Sequence, residues 1–394
     1  MTDPLGQSQV LPYISGLTKK GYEFHLISFE KMDRYLHHKR HIRKICEDNG
    51  IHWHPQDYHS KGGLFKTIKQ VRRMRKIARY LHSQHNFSIV HCRSYISALV
   101  GLNMKRSFGT KFVFDMRGFW ADERVDGKIW DLKNPLFKRI YTYFKRKEIQ
   151  FFTKSDYTIS LTENGKEEIL SWKSLAANPP KIKVIPCCVN LDLFDPSKIK
   201  KSDQVALKDK LGISSETYVL GYIGSIGTWY MLAEMLDYFK CLHASNPTAI
   251  FLFVTAENSE MIHSVASEKG IDPSSLIITS SLHQGVPLHI SIFDHSIFFI
   301  RASYSKKASS PTKQAEIMAM GIPLVCNSGV GDTDHIVRKY ASGIVIDTFD
   351  EVSYNASLVD TNFDAEHVMK GAKDYFSLEQ GIERYLQVYK EVDG

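Results

Sequence analysis

The sequence has no apolar run long enough to cross a membrane. A span needs about 20 consecutive apolar residues, and the longest candidates, such as "SIFFI" at 296–300, have the length of a strand. Paired cysteines are lacking too. The six cysteines, at 46, 92, 187, 188, 241 and 326, show no CxxC spacing, which speaks against both a disulfide framework and a zinc site. Vicinal Cys187 and Cys188 read as packing residues rather than a redox pair. Low-complexity tracts and short repeats are absent, as is an apolar leader-like core in the first ten residues. A soluble cytoplasmic protein is the expectation.

One further absence is local. From Tyr58 to Phe114 there is no Asp or Glu, while the stretch carries twelve Lys and Arg, so the rest of the chain is net acidic by four although the total is +8. Within it, "LFKTIKQVRRMRKIARYL" places Leu64, Ile68, Val71, Met74, Ala78 and Leu81 on one helical face and seven cations on the others. Such a helix is either packed by its stripe and otherwise solvated, or it also meets anionic headgroups at the inner face of a membrane. No recognition motif or aromatic platform accompanies the charge, so nucleic acid is not the expected partner.

What is present is alternation. Strand-like runs at 22–28, 87–91, 111–115, 157–161 and 182–186, then at 218–224, 249–254, 275–279, 296–300, 322–326 and 343–347, are separated by helical patterns. Repeated βα units predict parallel sheets covered on both faces, with ligands beyond the carboxyl ends of the strands. At 394 residues the chain suits two α/β domains sharing a cleft. They are expected over 1–195 and 212–375, with the lysine-rich stretch "DPSKIKKSDQVALKDKL" as linker and a helix over 376–394.

"SSPTKQAEIMAMGIPLV" at 309–325 predicts a short helix capped by Ser309 or Ser310, with Pro311 at its first position, closed by Gly321 and followed by a buried strand. The amino end of a helix suits an anion, so Ser310, Thr312 and Lys313 could meet a diphosphate, or the polar groups could do no more than cap. A "GSIG" turn after a strand, containing Ser225 and Gly227, could let backbone approach a phosphate or serve only as a tight turn. Arg301, Lys306 and Lys307 follow another strand at the same end and could add cations.

Taken together, "PCCVNLDLF" at 186–194, "GYIGSIGTW" at 221–229, "FDMRGFWADE" at 114–123 and the 309–325 stretch resemble glycosyltransferase family 4, retaining nucleotide-sugar transferases of the GT-B fold. The resemblance implies an acceptor domain first and a nucleotide-sugar domain second, each Rossmann-like, with "LEQGIERYLQVYKEV" crossing back to the first. It implies that Glu316 binds the donor ribose and that Gly6 and Gln7, in "DPLGQSQV", lie in a loop near the transferred sugar. That loop should follow a strand and here has none, so upstream codons for an apolar segment before Met1 are expected.

Three positions depart from the family pattern. Arg117 stands where many members have histidine, two residues after Asp115; Ala308 replaces the first of two glutamates; and "TWYML" follows the glycine turn where an arginine and a lysine are usual. A guanidinium cannot act as a base but can neutralise diphosphate charge. His91, at the end of a strand, is a further candidate for substrate contact. His52 and His54 share a strand face in "HWH", but a third ligand is not apparent, so no metal site is expected.

The expected activity is hexosyl transfer from a UDP- or GDP-sugar to a hydroxyl of a glycan or lipid-linked acceptor in surface polysaccharide synthesis, with no cofactor. The rival readings are a GT-B sugar-nucleotide epimerase and a silent glycan- or nucleotide-binding protein.

Overall fold

The computed structural model describes residues 1–58, 63–359 and 362–394. The chain divides into two units, Met1–Pro186 with Leu378–Gly394, and Cys187–Ser377. The division falls ahead of the 195–211 stretch. Most of that stretch is the helix Lys201–Leu211 of the second unit, ended by Gly212 in the left-handed region at φ 70°.

In the first unit, β1 (Phe24–Glu30) pairs in parallel with β2 (Ile51–Asp57). A separate parallel sheet holds β3 (Ile89–Arg93), β4 (Lys111–Asp115), β5 (Tyr157–Ser160) and β6 (Ile182–Val184) in that order. Apolar runs with β-branched and aromatic residues make these strands. Phe112, Val113, Phe114 and Ile159 are all fully buried, as sheets covered on both faces require.

The edges of β1 and β3 both line a cavity of about 290 Å³. Leu26 and Ile27 stand on one side, Val90 and His91 on the other, with Tyr13, Leu81 and Tyr385 among the helical side chains around it. An unpaired strand edge normally needs cover. Here helices supply it. Leu11–Thr18 and Leu378–Asp393 pack so closely that a Cβ on Gly16 would lie 2.3 Å from Ile382 Cδ1.

Residues 3–9, expected as a loop, contain the helix Pro4–Gln9. Gly6 in it is buried, and a Cβ there would lie 2.7 Å from Met1 Cα. Gln7 Nε2 donates to Thr2 O at 3.3 Å. Both residues are thus engaged with the chain's own first turn.

The basic helix runs Gly63–His85. Val71 and Leu81 are buried as expected, but Ile68 is 40% exposed and Phe65 is 85% exposed. The stripe is therefore covered only toward the helix's carboxyl end. Among the described residues no helix is long and apolar enough to cross a membrane.

The second unit is a six-stranded parallel sheet of β7 (Val219–Ile223), β8 (Ile250–Val254), β9 (Leu276–Thr279), β10 (His295–Phe298), β11 (Leu324–Asn327) and β12 (Gly343–Ile346). Its order is β12-β11-β10-β7-β8-β9. The chain moves outward from β7 in one direction, then restarts at β10 and moves in the other. The crevice beyond the carboxyl ends of β7 and β10 is thus a topological switch point, where doubly wound sheets bind ligands.

Candidate functional site

The switch point gathers most of the residues singled out in the second unit. The turn after β7 begins at Gly224 with φ 96°, a conformation that disfavours a side chain. Ser225 and Gly227 in this turn are exposed, and a Cβ on Gly227 would meet nothing within 4 Å. Tyr222 O–H donates to Ser225 O at 2.5 Å and fixes the turn on the strand.

The expected helix is Thr312–Ala319, and Pro311 is its cap rather than its first residue. No side chain caps it. Proline fits there because its extended backbone, ψ 121°, leads into the helix. Ser310 Oγ instead accepts the Cys187 N–H at 3.1 Å, which holds the start of this unit against the helix mouth. Gly321, at φ 74°, follows the carboxyl end as expected.

Lys313 is 5% exposed, and its Nζ has no hydrogen-bond partner among the described residues. The ammonium lies over the rings of Tyr222 and Tyr230, 3.9 and 3.8 Å from their centres. A Cβ on Gly224 would stand 3.5 Å from the same Nζ. Burial pushes the Lys313 pKa well below the usual lysine value, and Glu316 opposes that shift.

Lys306 is buried, with its Nζ 3.8 Å from the Trp229 ring centre, and the Arg301 guanidinium lies 5.1 Å from the same centre. Lys307 differs: it is exposed and lies over Tyr304. Glu316 Oε1 is 3.2 Å from His283 Nε2. Ala308 is fully buried, so the departure at that position is a packed methyl. The "TWYML" segment, which lacks the expected basic pair, supplies the aromatic floor under Lys306 and Lys313. That cation–aromatic signal was present in the sequence.

In the first unit Asp115, at the carboxyl end of β4, is buried at 1% exposure. His91 Nε2 and Arg93 Nη1 each lie 3.7 Å from its Oδ2, Arg117 Nη1 lies 3.9 Å from Oδ1, and Tyr385 O–H donates to Oδ2 at 3.2 Å. Burial alone would raise the carboxyl pKa, but Arg117, then His91 and Arg93, hold it down at about 2. Arg117 adopts φ 59° and Gly118 φ 120°, so the chain turns sharply to bring the guanidinium back.

His91 does not end its strand, which runs on to Arg93. Its Nδ1 is instead 2.6 Å from Tyr389 O–H. Arg93, Tyr385 and Tyr389 were not legible as site residues. Both tyrosines come from the carboxyl-terminal helix, whose amphipathic spacing alone says only that it packs.

Residues 8–193 match the family model described as Glycosyltransferase Family 4. A D-inositol 3-phosphate glycosyltransferase of Segniliparus rotundus is 23% identical over 291 residues, 70% of this chain but only 59% of the relative's length. A UDP-Gal:alpha-D-GlcNAc-diphosphoundecaprenol alpha-1,3-galactosyltransferase of Escherichia coli is 22% identical, covering 89% of this chain and 86% of its own. A glycosyltransferase structure from Rickettsia africae superposes with a TM-score of 0.71 at 15% identity, over 99% of this chain and 95% of the other. HepE of Anabaena, in complex with UDP-glucose, gives a TM-score of 0.69 at 14% identity, over 99% of this chain and 97% of the other. The chain therefore has the GT-B fold, and its residues 8–193 match Glycosyltransferase Family 4.

Proposed function

We propose that this protein transfers a hexose, with retention of configuration, from a UDP- or GDP-sugar to a hydroxyl of a glycan or lipid-linked acceptor in surface polysaccharide synthesis. The observation that carries the reading is Lys313, a buried ammonium without a hydrogen-bond partner among the described residues, at the amino end of a helix beside the Gly224 turn. An arriving diphosphate would give that charge its counter-ion. Thr312 and Ser225 would add hydrogen bonds, Arg301 and Lys306 would add charge, and Glu316 would accept from the ribose hydroxyls. As the anomeric C–O bond breaks, these cations stabilise the departing nucleoside diphosphate. The acceptor oxygen forms the new bond to the anomeric carbon and gives up its proton to the departing diphosphate. The reading invokes no cofactor.

In the first unit, a carboxyl held at about pKa 2 is a poor base at neutral pH. We therefore assign Asp115 to positioning: it holds the Arg117 guanidinium and the His91 imidazole, which would contact the acceptor or the transferred sugar. The half-covered basic helix Gly63–His85 would bring the protein to an anionic membrane carrying such an acceptor.

The test is a panel of UDP- and GDP-sugars, assayed by thermal shift and then for transfer to lipid-linked saccharides. Selective stabilisation by one donor with glycoside formation is expected. Turnover of the donor without an acceptor would favour the epimerase, and binding without turnover the silent protein.

A further inference from the structure

Histidines that the proposed reaction does not use collect at the amino ends of β1 and β2. The parallel register sets His25 opposite His52 and Ile27 opposite His54. Their rings stack on His25, with centres 4.5 Å away for His52 and 5.2 Å for His54. His85, the last residue of the helix Gly63–His85, closes over the same ring at 4.1 Å. Glu23, just before β1, places Oε1 3.2 Å from His25 Nε2 and 3.3 Å from His52 Nε2. One ligand atom each from Glu23, His25 and His85 lies within 4.8 Å of the others.

We propose that Glu23, His25 and His85, with His52 at the rim, form a binding site for a divalent transition-metal ion, zinc by preference. Three imidazoles and a carboxylate form a donor set that suits zinc, and ligand atoms about 2 Å from such an ion stand about 3.3 Å apart. The Glu23 contacts to His25 and His52 already have that spacing.

His25 is also prepared as a ligand. Its Nδ1 lies 3.1 Å from His54 Nε2, so a proton kept on Nδ1 leaves Nε2 free to face Glu23, the arrangement in which an outer partner fixes a ligand's tautomer. Of "HWH", His52 thus stands at the rim and His54 serves as an outer partner, while Glu23 stands just before β1, His25 within it and His85 at the end of the basic helix. A bound ion would tie the β1–β2 sheet to the carboxyl end of the basic helix, so its effect would be structural.

The experiment uses the tag-free chain, treated with chelator and dialysed, then titrated with zinc by calorimetry and with cobalt(II) by visible absorption. One zinc per chain, a raised melting temperature and tetrahedral cobalt bands are expected. His25→Asn and His85→Asn should each weaken zinc about tenfold or more. His263→Asn, on the exposed face of the helix Ser259–Glu268, should change nothing. If His25→Asn fails to fold, Glu23→Gln and His52→Asn, at exposed side chains, carry the test. Absence of stoichiometric binding, or equal binding in the chain and in the variants of the four ligands, overturns the proposal. Neither outcome bears on sugar transfer.

Discussion

The Lys313 ammonium stands 3.8 Å from the centre of the Tyr230 ring, a cation held by an aromatic face instead of a carboxylate. Tyr222 presents a second face at 3.9 Å. Such contacts are worth about 2 kcal/mol when desolvated, less than the several kcal/mol that burying an ion costs. Lys313→Met should therefore stabilise the ligand-free protein by about 1–3 kcal/mol in urea unfolding while weakening UDP or GDP at least tenfold. With its folded pKa below the unfolded value, Lys313 binds its proton more readily when unfolded, so its contribution to stability grows as pH rises toward 10.5. The Met variant should lose that slope.

Glu316 lies one helical turn beyond Thr312, close enough for one short helix to meet a diphosphate and its ribose. Glu316→Gln keeps the size and exchanges a charge-assisted hydrogen bond for a neutral one, at about 1–2 kcal/mol. Nucleotide affinity should fall about five- to thirtyfold with the melting curve retained. Equal affinity in the folded variant would end the ribose assignment.

Asp115 is the buried counter-ion of Arg93 and Arg117, and His91 Nε2 lies 3.7 Å from its Oδ2. Its unfolded pKa is near 3.8 and its folded value about 2. Between these values the unfolded chain takes up the proton first, so stability is lost as pH falls through the window. The loss amounts to about 2 kcal/mol. Asp115→Asn should remove this acid dependence and cost about 3 kcal/mol at pH 7, because the cations keep their desolvation without their partner. Urea unfolding from pH 5 to pH 2 measures both effects.

The basic helix leaves Phe65 and Ile68 exposed among Lys66, Lys69, Arg72, Arg73 and Lys76. Neutralising Arg72, Arg73, Arg75 and Lys76 should abolish flotation with phosphatidylserine vesicles. Wild-type binding should fall steeply between low and physiological salt. Equal recovery with neutral vesicles would reduce the helix to a solvated face.

The alternation of strands and helices, the Thr312–Ala319 helix within a residue, and the basic face of Gly63–His85 were set locally, by periodicity, turn residues and charge. The amino-acid order also carried the stretches on which the family resemblance rests. Tertiary structure alone decided what those elements meet. Strand pairing left β1 and β3 in separate sheets, although their hydrophobic runs do not differ in kind from the others. Packing of the last helix brought Tyr385 to Asp115 and Tyr389 to His91, pairs 270 and 298 residues apart. It was packing, too, that buried Lys313 between two tyrosines, where an exposed lysine would have been the ordinary outcome. Hydrophobic period reports which face of an element is buried; the partner across that face depends on how distant segments stack, which no local pattern encodes.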